Sequence, residues 1–155
     1  MKAVVQRVLE ASVSVDGEVV GAIERGLLCY VGLGKGDGAK EESWLLEKIF
    51  NVRIFDEESS QRSILEIGGG ILFVSQFTLY GSLLKGRRPS FDEAMPIEEA
   101  RAALAHFMKS ARAYPTGEKA IHVAEGRFQA DMKVRSVNDG PYTVLLESPR
   151  AATTV

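Results

Sequence analysis

The sequence predicts an α+β fold, with a mostly antiparallel, barrel-like β core and two packing helices. Three observations carry the prediction. Strand-like runs cluster in the first 33 residues and again after residue 120. Two runs with helical spacing, around Leu45 to Val52 and Ile97 to Ala111, lie between them. No repeat, low-complexity segment or linker divides the chain, so its 155 residues are expected to form one domain, 1–155.

Ser12-Val13-Ser14-Val15 alternates, meets Asp16-Gly17 and continues as "EVVGAI", the pattern of a β-hairpin. "GLLCYVGL" (Gly26 to Leu33) is a short apolar run that fits a buried strand. After the glycine-rich "GKGDGA", Leu45, Ile49 and Val52 share one helical face, with Asp37 as the expected N-cap. "SSQRS" and "GGG" signal loops, and "ILFVSQFTLY" (Ile71 to Tyr80) is the strongest strand signal. In the second helix Ile97, Ala100, Leu104, Phe107, Met108 and Ala111 form the apolar face. Pro96 opens it, Glu98 and Glu99 occupy its first turn, Lys109 and Arg112 its last, and Pro115 and Gly117 end it. "AIHVA", "MKVRSV" and "YTVLLE" are expected as short strands. "NDGP" (Asn138 to Pro141) separates the last two. Asp-Gly favours a tight turn, but Pro141 has no N–H to close a hairpin there.

Composition narrows the function. Apolar content of 45% and charged content of 26% are ordinary for a soluble globular protein. A formal net charge of −2 argues against holding nucleic acid by bulk electrostatics, while leaving room for a local basic patch. The single cysteine, Cys29, excludes an internal disulfide and a cysteine-based metal site. "MKAVVQRVLEASVSV" lacks the continuous apolar segment of a signal peptide, and no run approaches a membrane span, so a cytoplasmic location with no membrane partner is expected.

Familiar catalytic constellations are missing. His106 and His122 have no sequence-local partner at metal-ligand spacing, no G-x-S-x-G elbow occurs, and Cys29 sits in an apolar strand. No metal and no cofactor are expected. Gly34, Gly36 and Ala39 match a dinucleotide fingerprint, but βαβ alternation does not follow, and the segment reads as a connection into the helix. "SQFT" (Ser75 to Thr78) ends a buried strand in polar groups. It reads equally as a structural hydrogen-bond network or as the floor of a pocket for a small polar ligand. "KGRRPSF" (Lys85 to Phe91) reads as a solvated basic loop or as a grip for phosphates with Phe91 and Tyr80 nearby.

"VSQFTL" (Val74 to Leu79) together with "NDGPYT" (Asn138 to Thr143) resembles the D-aminoacyl-tRNA deacylase family. The likeness extends to "MKAVVQRV" with Arg7, the hairpin, "GLLCYVGL", "RIF", "KGRRPSF" and "MKVRSVNDGP", which is nearly the whole chain. It implies a homodimer that hydrolyses the ester between a D-amino acid and the 3′ end of tRNA, and that removes glycine mischarged on alanine tRNA. By this likeness Ser75, Gln76, Phe77 and Thr78 form the catalytic pocket. Gly140 and Pro141, joined by a cis bond, enter the pocket of the other subunit as a chiral filter, and Arg7 holds them. Pro89, Ser90 and Phe91 count among the substrate-binding residues. Two segments depart from the family pattern: "SSQRS" after "VRIFDE", and "FQADM", where Gln129 takes a glycine position.

The chain offers no general base beside the two motifs. The resemblance therefore implies that the terminal 2′-hydroxyl of the tRNA assists the water, with Thr78 positioning rather than attacking. Two other readings stay open on the residues alone: a non-catalytic RNA- or nucleotide-binding module, and a purely structural dimer.

Overall fold

A computed structural model describes residues 1–57 and 60–149. The "SSQRS" departure therefore falls partly outside the described residues. Along the chain run β1 (Lys2–Val15), β2 (Glu18–Ile23), β3 (Gly26–Gly32), α1 (Ala39–Asn51), β4 (Phe55–Glu57) and β5 (Ser60–Arg62). There follow α2 (Ile64–Ile67), β6 (Gly69–Ser75), a 3-10 turn (Phe77–Tyr80), α3 (Ile97–Arg112), β7 (Ile121–Glu125) and β8 (Met132–Glu147). The α+β class holds, and α2 is a short third helix beside the two expected ones.

β1 organises the sheet. Its first half pairs antiparallel with β3, its second half with β2, and β8 covers its whole length on the other edge. β3, β6 and β7 then continue in parallel pairs, so the sheet is mixed beyond its antiparallel half. β2 curls over β6 and β7 and nearly closes a barrel. Gly21 of β2 makes that approach: a Cβ there would stand 2.5 Å from the carbonyl oxygen of Glu125 on β7.

The apolar runs of β3 and β6 are continuous because both faces are covered. Leu27, Cys29, Ile71 and Phe73 face the helices, while Leu28, Leu72 and Val74 join Val8, Val13 and Ile23 inside the barrel. Phe107 of α3 meets Phe73 edge to face at 5.2 Å, and Phe50 of α1 stacks on Tyr114 at 4.1 Å. Cys29 is fully buried, which pushes its thiol pKa far up and leaves it an inert core residue.

Three local expectations are corrected. Gly38 is the N-cap of α1, and its N–H donates to Glu41 Oε2 at 2.9 Å. Asp37 turns its carboxylate inward instead, where it accepts from the Gly34 N–H at 2.6 Å and the Tyr80 hydroxyl at 3.0 Å. It also pairs with the Met1 ammonium at 2.6 Å, with both groups almost fully buried.

The strand expected over Ile71 to Tyr80 ends at Ser75. Gln76 still donates its N–H to Val31 at 2.8 Å, but its backbone leaves the strand and Phe77–Tyr80 winds into the 3-10 turn. The cause lies at Tyr80: its ring packs onto Gly34, where an added Cβ would come within 2.5 Å, and Asp37 holds its hydroxyl.

"NDGP" is neither a hairpin nor a break between two short strands. β8 runs through it, and β1 pairs with β8 on both sides of it. Gln6 faces Thr143 and Val8 faces Asn138, so five steps along β8 answer two along β1. The surplus bulges out of the ladder, which removes any need for a donor at Pro141.

Candidate active site

A cavity of about 480 Å³ opens at the carboxyl ends of the parallel strands β3 and β6. Val74, Ser75, Gln76 and Phe77 form one wall, the start of α3 a second, and the loop between β7 and β8 with Phe128 and Gln129 a third. Its lining is mostly apolar, and Ser75, Gln76 and Gln129 supply the polar side chains. No Asp, Glu, His, Lys, Arg or Cys stands among these lining residues.

The four residues of "SQFT" remain together after the strand ends. Ser75, Gln76 and Phe77 line the cavity, while Thr78 is not a lining residue and accepts a hydrogen bond from Gln76 Nε2. Phe77 is 58% exposed, which is unusual for a phenylalanine and leaves its face open at the mouth. Phe91 braces it with an edge-to-face contact at 5.1 Å. Ser90 exchanges backbone hydrogen bonds with Ser82 at 2.8 and 2.9 Å, and its hydroxyl donates to Asp92. Pro89 is exposed. Of Pro89, Ser90 and Phe91, none lines the cavity, and only Phe91 touches its wall.

Arg7, Gly140 and Pro141 form a second constellation. Arg7 projects from β1 with 7% of its surface exposed, and its guanidinium meets the bulge of β8. Nε donates to the Asp139 carbonyl at 3.1 Å and pairs with its carboxylate at 2.9 Å. Nη2 donates to the Gly140 carbonyl at 3.1 Å. Nη1 donates to the Ile54 carbonyl at 2.6 Å and to Asp56 at 2.8 Å. The Tyr142 ring covers the guanidinium at 4.6 Å, and Asn138 Nδ2 returns a bond to the Arg7 carbonyl at 2.9 Å. The planar fork suits this set of acceptors, and an ammonium would not. The Arg7 hydrogen bond holds the Asp56 carboxyl below its usual pKa. The Gly140–Pro141 peptide bond is cis, and both residues are exposed.

The two constellations are apart within one chain. β3 and β1 lie between β6, which carries Ser75, and β8, which carries Gly140. Neither Gly140 nor Pro141 lines the cavity.

Gln129 adopts a φ of 61°, so the glycine-like backbone of this loop persists with a side chain in place. That side chain accepts a hydrogen bond from Arg101. His106 pairs with Glu42 at 2.9 Å, and no metal-ligating cluster occurs among the described residues. No described helix is long and apolar enough to cross a membrane.

The sequence reading missed Asp37 and Tyr80, which pin the 3-10 turn, and Asp139 and Asp56, which complete the Arg7 clamp. Asp139 carried a signal: its neighbours were already assigned to a filter that Arg7 holds.

The sequence profile of the family described as D-Tyr-tRNA(Tyr) deacylase matches residues 4–147. A D-aminoacyl-tRNA deacylase of Geobacter metallireducens is 54% identical over 97% of this chain and 98% of its own. One from Thermotoga petrophila is 47% identical over 97% of this chain and 99% of its own. The solved structure of a c-Myc DNA Unwinding Element Binding Protein superposes with a TM-score of 0.88 at 42% identity, covering 97% of this chain and 100% of that one. A probable eukaryotic D-amino acid tRNA deacylase shares the fold at a TM-score of 0.76 and 21% identity, over 94% of this chain and 97% of that one. The chain belongs to the D-Tyr-tRNA(Tyr) deacylase family and is a hydrolase.

Proposed function

We propose that the protein hydrolyses the ester joining a D-amino acid to the 3′ end of tRNA, and clears glycine mischarged on alanine tRNA while sparing L-aminoacyl esters. The curated relatives carry the name of that activity at about half identity over nearly the whole chain. The observation that carries the mechanism is the cavity lining, which brings Ser75, Gln76 and Phe77 to a pocket without a titratable side chain.

Such a pocket supplies shape and dipoles, and the substrate supplies the base. The terminal 2′-hydroxyl assists a water whose oxygen attacks the ester carbonyl carbon. The bond to the ribose 3′-oxygen then breaks, that oxygen takes a proton, and the free amino acid leaves. The Phe77 and Thr78 N–H groups open the 3-10 turn, where the turn itself offers them no acceptor, so they can meet the developing oxyanion. Thr78, bonded to Gln76, positions the substrate.

Stereochemical choice belongs to the Gly140-Pro141 bulge, acting in the cavity of a second subunit. Two features support action in trans. β1 and β3 stand between the bulge on β8 and Ser75 on β6, and neither Gly140 nor Pro141 lines the cavity of its own chain. β8 also pairs with no described strand on its second edge, and its Leu145 is 80% exposed. A rigid backbone wall tests only the substituents of the α-carbon, so it rejects an L side chain whatever its chemistry. An aminoacyl-tRNA substrate supports a cytoplasmic location.

Incubation with D-Tyr-tRNA and L-Tyr-tRNA tests the proposal. Loss of the D-ester well above the buffer rate, with the L-ester spared, is expected. Loss no faster than buffer would leave the non-catalytic RNA-binding reading in its place. A terminal 2′-deoxyadenosine is expected to slow cleavage at least a hundredfold, within the general range for an acid–base group.

A further inference from the structure

We infer that the loop over 81–91 is a phosphate-gripping surface for the single-stranded RNA that leads into the cavity. The inference rests on the deacylase reading for its ligand and on the loop's own geometry for its place.

The loop is built as a projection. Ser82 and Ser90 close its base with a reciprocal pair of backbone hydrogen bonds, and Gly86, at a φ of +78° with nothing near its missing Cβ, shapes the tip. Its base is fixed to the mouth of the cavity. Phe91 packs on Phe77, and Gly81 admits the Phe91 ring so closely that an added Cβ would stand 3.0 Å from it. Four residues separate the base from the tip, a reach of at most about 13 Å.

Lys85, Arg87 and Arg88 flank that tip. All are exposed, and none takes part in an ion pair among the described residues. The adjacent carboxylate pairs with none of them: Asp92 accepts from the Ser90 hydroxyl at 2.6 Å, and its own backbone N–H donates to that Ser90 oxygen at 3.3 Å. Like charges this close repel one another within a Debye length of about 8–10 Å. In a chain of net charge −2 they concentrate a positive field at one place, beside the aromatic pair at the cavity mouth. A polyanion threading its end into the cavity passes that place. A neutral or cationic peptide gains nothing from it.

The test compares the protein with a K85Q/R87Q/R88Q variant in direct binding of uncharged tRNA from 50 to 300 mM salt. Thermal unfolding serves as the check on folding. The variant is expected to bind at least tenfold more weakly at low salt. Its log–log salt slope should be shallower by about two, since each of three contacts to single-stranded RNA contributes about 0.7. Cleavage supplies the second readout. The ratio of kcat/KM on full-length D-aminoacyl-tRNA to that on 3′-O-D-aminoacyl-adenosine is expected to fall at least tenfold. An unchanged salt slope, or an equal fall on both esters, overturns the inference. If neither ester is cleaved even by the unmodified protein but the variant loses tRNA binding, the loop assignment stands and the deacylase reading falls.

Discussion

Arg7 donates a hydrogen bond from Nη2 to the carbonyl oxygen of Gly140, across 3.1 Å and from opposite ends of the chain. The same guanidinium holds the Asp139 and Ile54 carbonyls and two carboxylates, so one side chain fixes the whole bulge against β1. Arg7→Lys keeps the charge and loses the fork. An ammonium has three donors and cannot satisfy acceptors spread around a plane. The variant is expected to lose about 1–3 kcal/mol of stability through unpaired carbonyls. Its selectivity for D- over L-tyrosyl ester should fall more than tenfold, as read from paired cleavage assays. Selectivity unchanged in a folded variant would count against the clamp.

Acid acts on the same clamp through Asp56. Its pKa is lowered mainly by the Arg7 hydrogen bond, with burial opposing. A group whose folded pKa is depressed contributes stability above its unfolded pKa and loses it as pH falls through the folded value. The contribution is therefore intact at neutral pH and fades only below the usual aspartate range, about pH 4. Asp56→Asn is expected to remove this part of the acid dependence of unfolding below about pH 4 and to leave the slope near pH 7 unaltered. Denaturant titrations at stepped pH measure it.

Gly140 offers a direct probe of action in trans. A Cβ added there meets nothing within 4 Å in its own chain. Gly140→Ala is therefore expected to shift stability by less than about 0.5 kcal/mol, as for a surface change. If Gly140 enters a partner's cavity, the added methyl meets its wall, and kcat/KM on D-Tyr-tRNA should fall at least tenfold. Full activity at unchanged oligomeric state would place Gly140 outside the site.

The pattern of apolar residues made the framework legible. β3 and α3 lie where their apolar spacing places them, because burial on both faces or along one stripe leaves a periodic trace. The 3-10 turn left no such trace. Leu79 and Tyr80 extend an apolar run, and the chain turns only because Tyr80 finds Gly34 and Asp37 far away in sequence. "NDGP" misled for a related reason. Its turn chemistry is genuine locally, but β1 pairs with β8 on both sides of it and converts the surplus into a bulge. The separation of Gly140 from Ser75 is likewise a property of strand order, which neither motif records.

Gln129 carries a measurable cost. Its φ of 61° is a left-handed conformation that disfavours an L side chain by about 1–2 kcal/mol. The exposed hydrogen bond from Arg101 offsets only a small part. Gln129→Gly is expected to stabilise the protein by about 1 kcal/mol, a rise in Tm of about 2–4 °C for a chain of this size. Calorimetry decides it, and a lower Tm would mean that the Arg101 contact outweighs the backbone.

Asp37 ties the cavity wall to the N-terminal strand. Its carboxylate is 3% exposed and holds the Met1 ammonium, the Gly34 N–H and the Tyr80 hydroxyl. Removing one partner of a buried pair costs about 3–5 kcal/mol, because the other charge stays buried and unmatched. Asp37→Ala is therefore expected to destabilise the fold by about that amount. Tyr80→Phe isolates the local part. It keeps the ring on Gly34 and the Met1 pair, loses one hydrogen bond, and should cost about 1 kcal/mol. The two variants separate global from local effects. If Asp37 serves the site by fixing the 3-10 turn, Tyr80→Phe lowers kcat on D-Tyr-tRNA severalfold while Tm falls only slightly. If the carboxylate serves the fold alone, Tyr80→Phe leaves kcat unchanged.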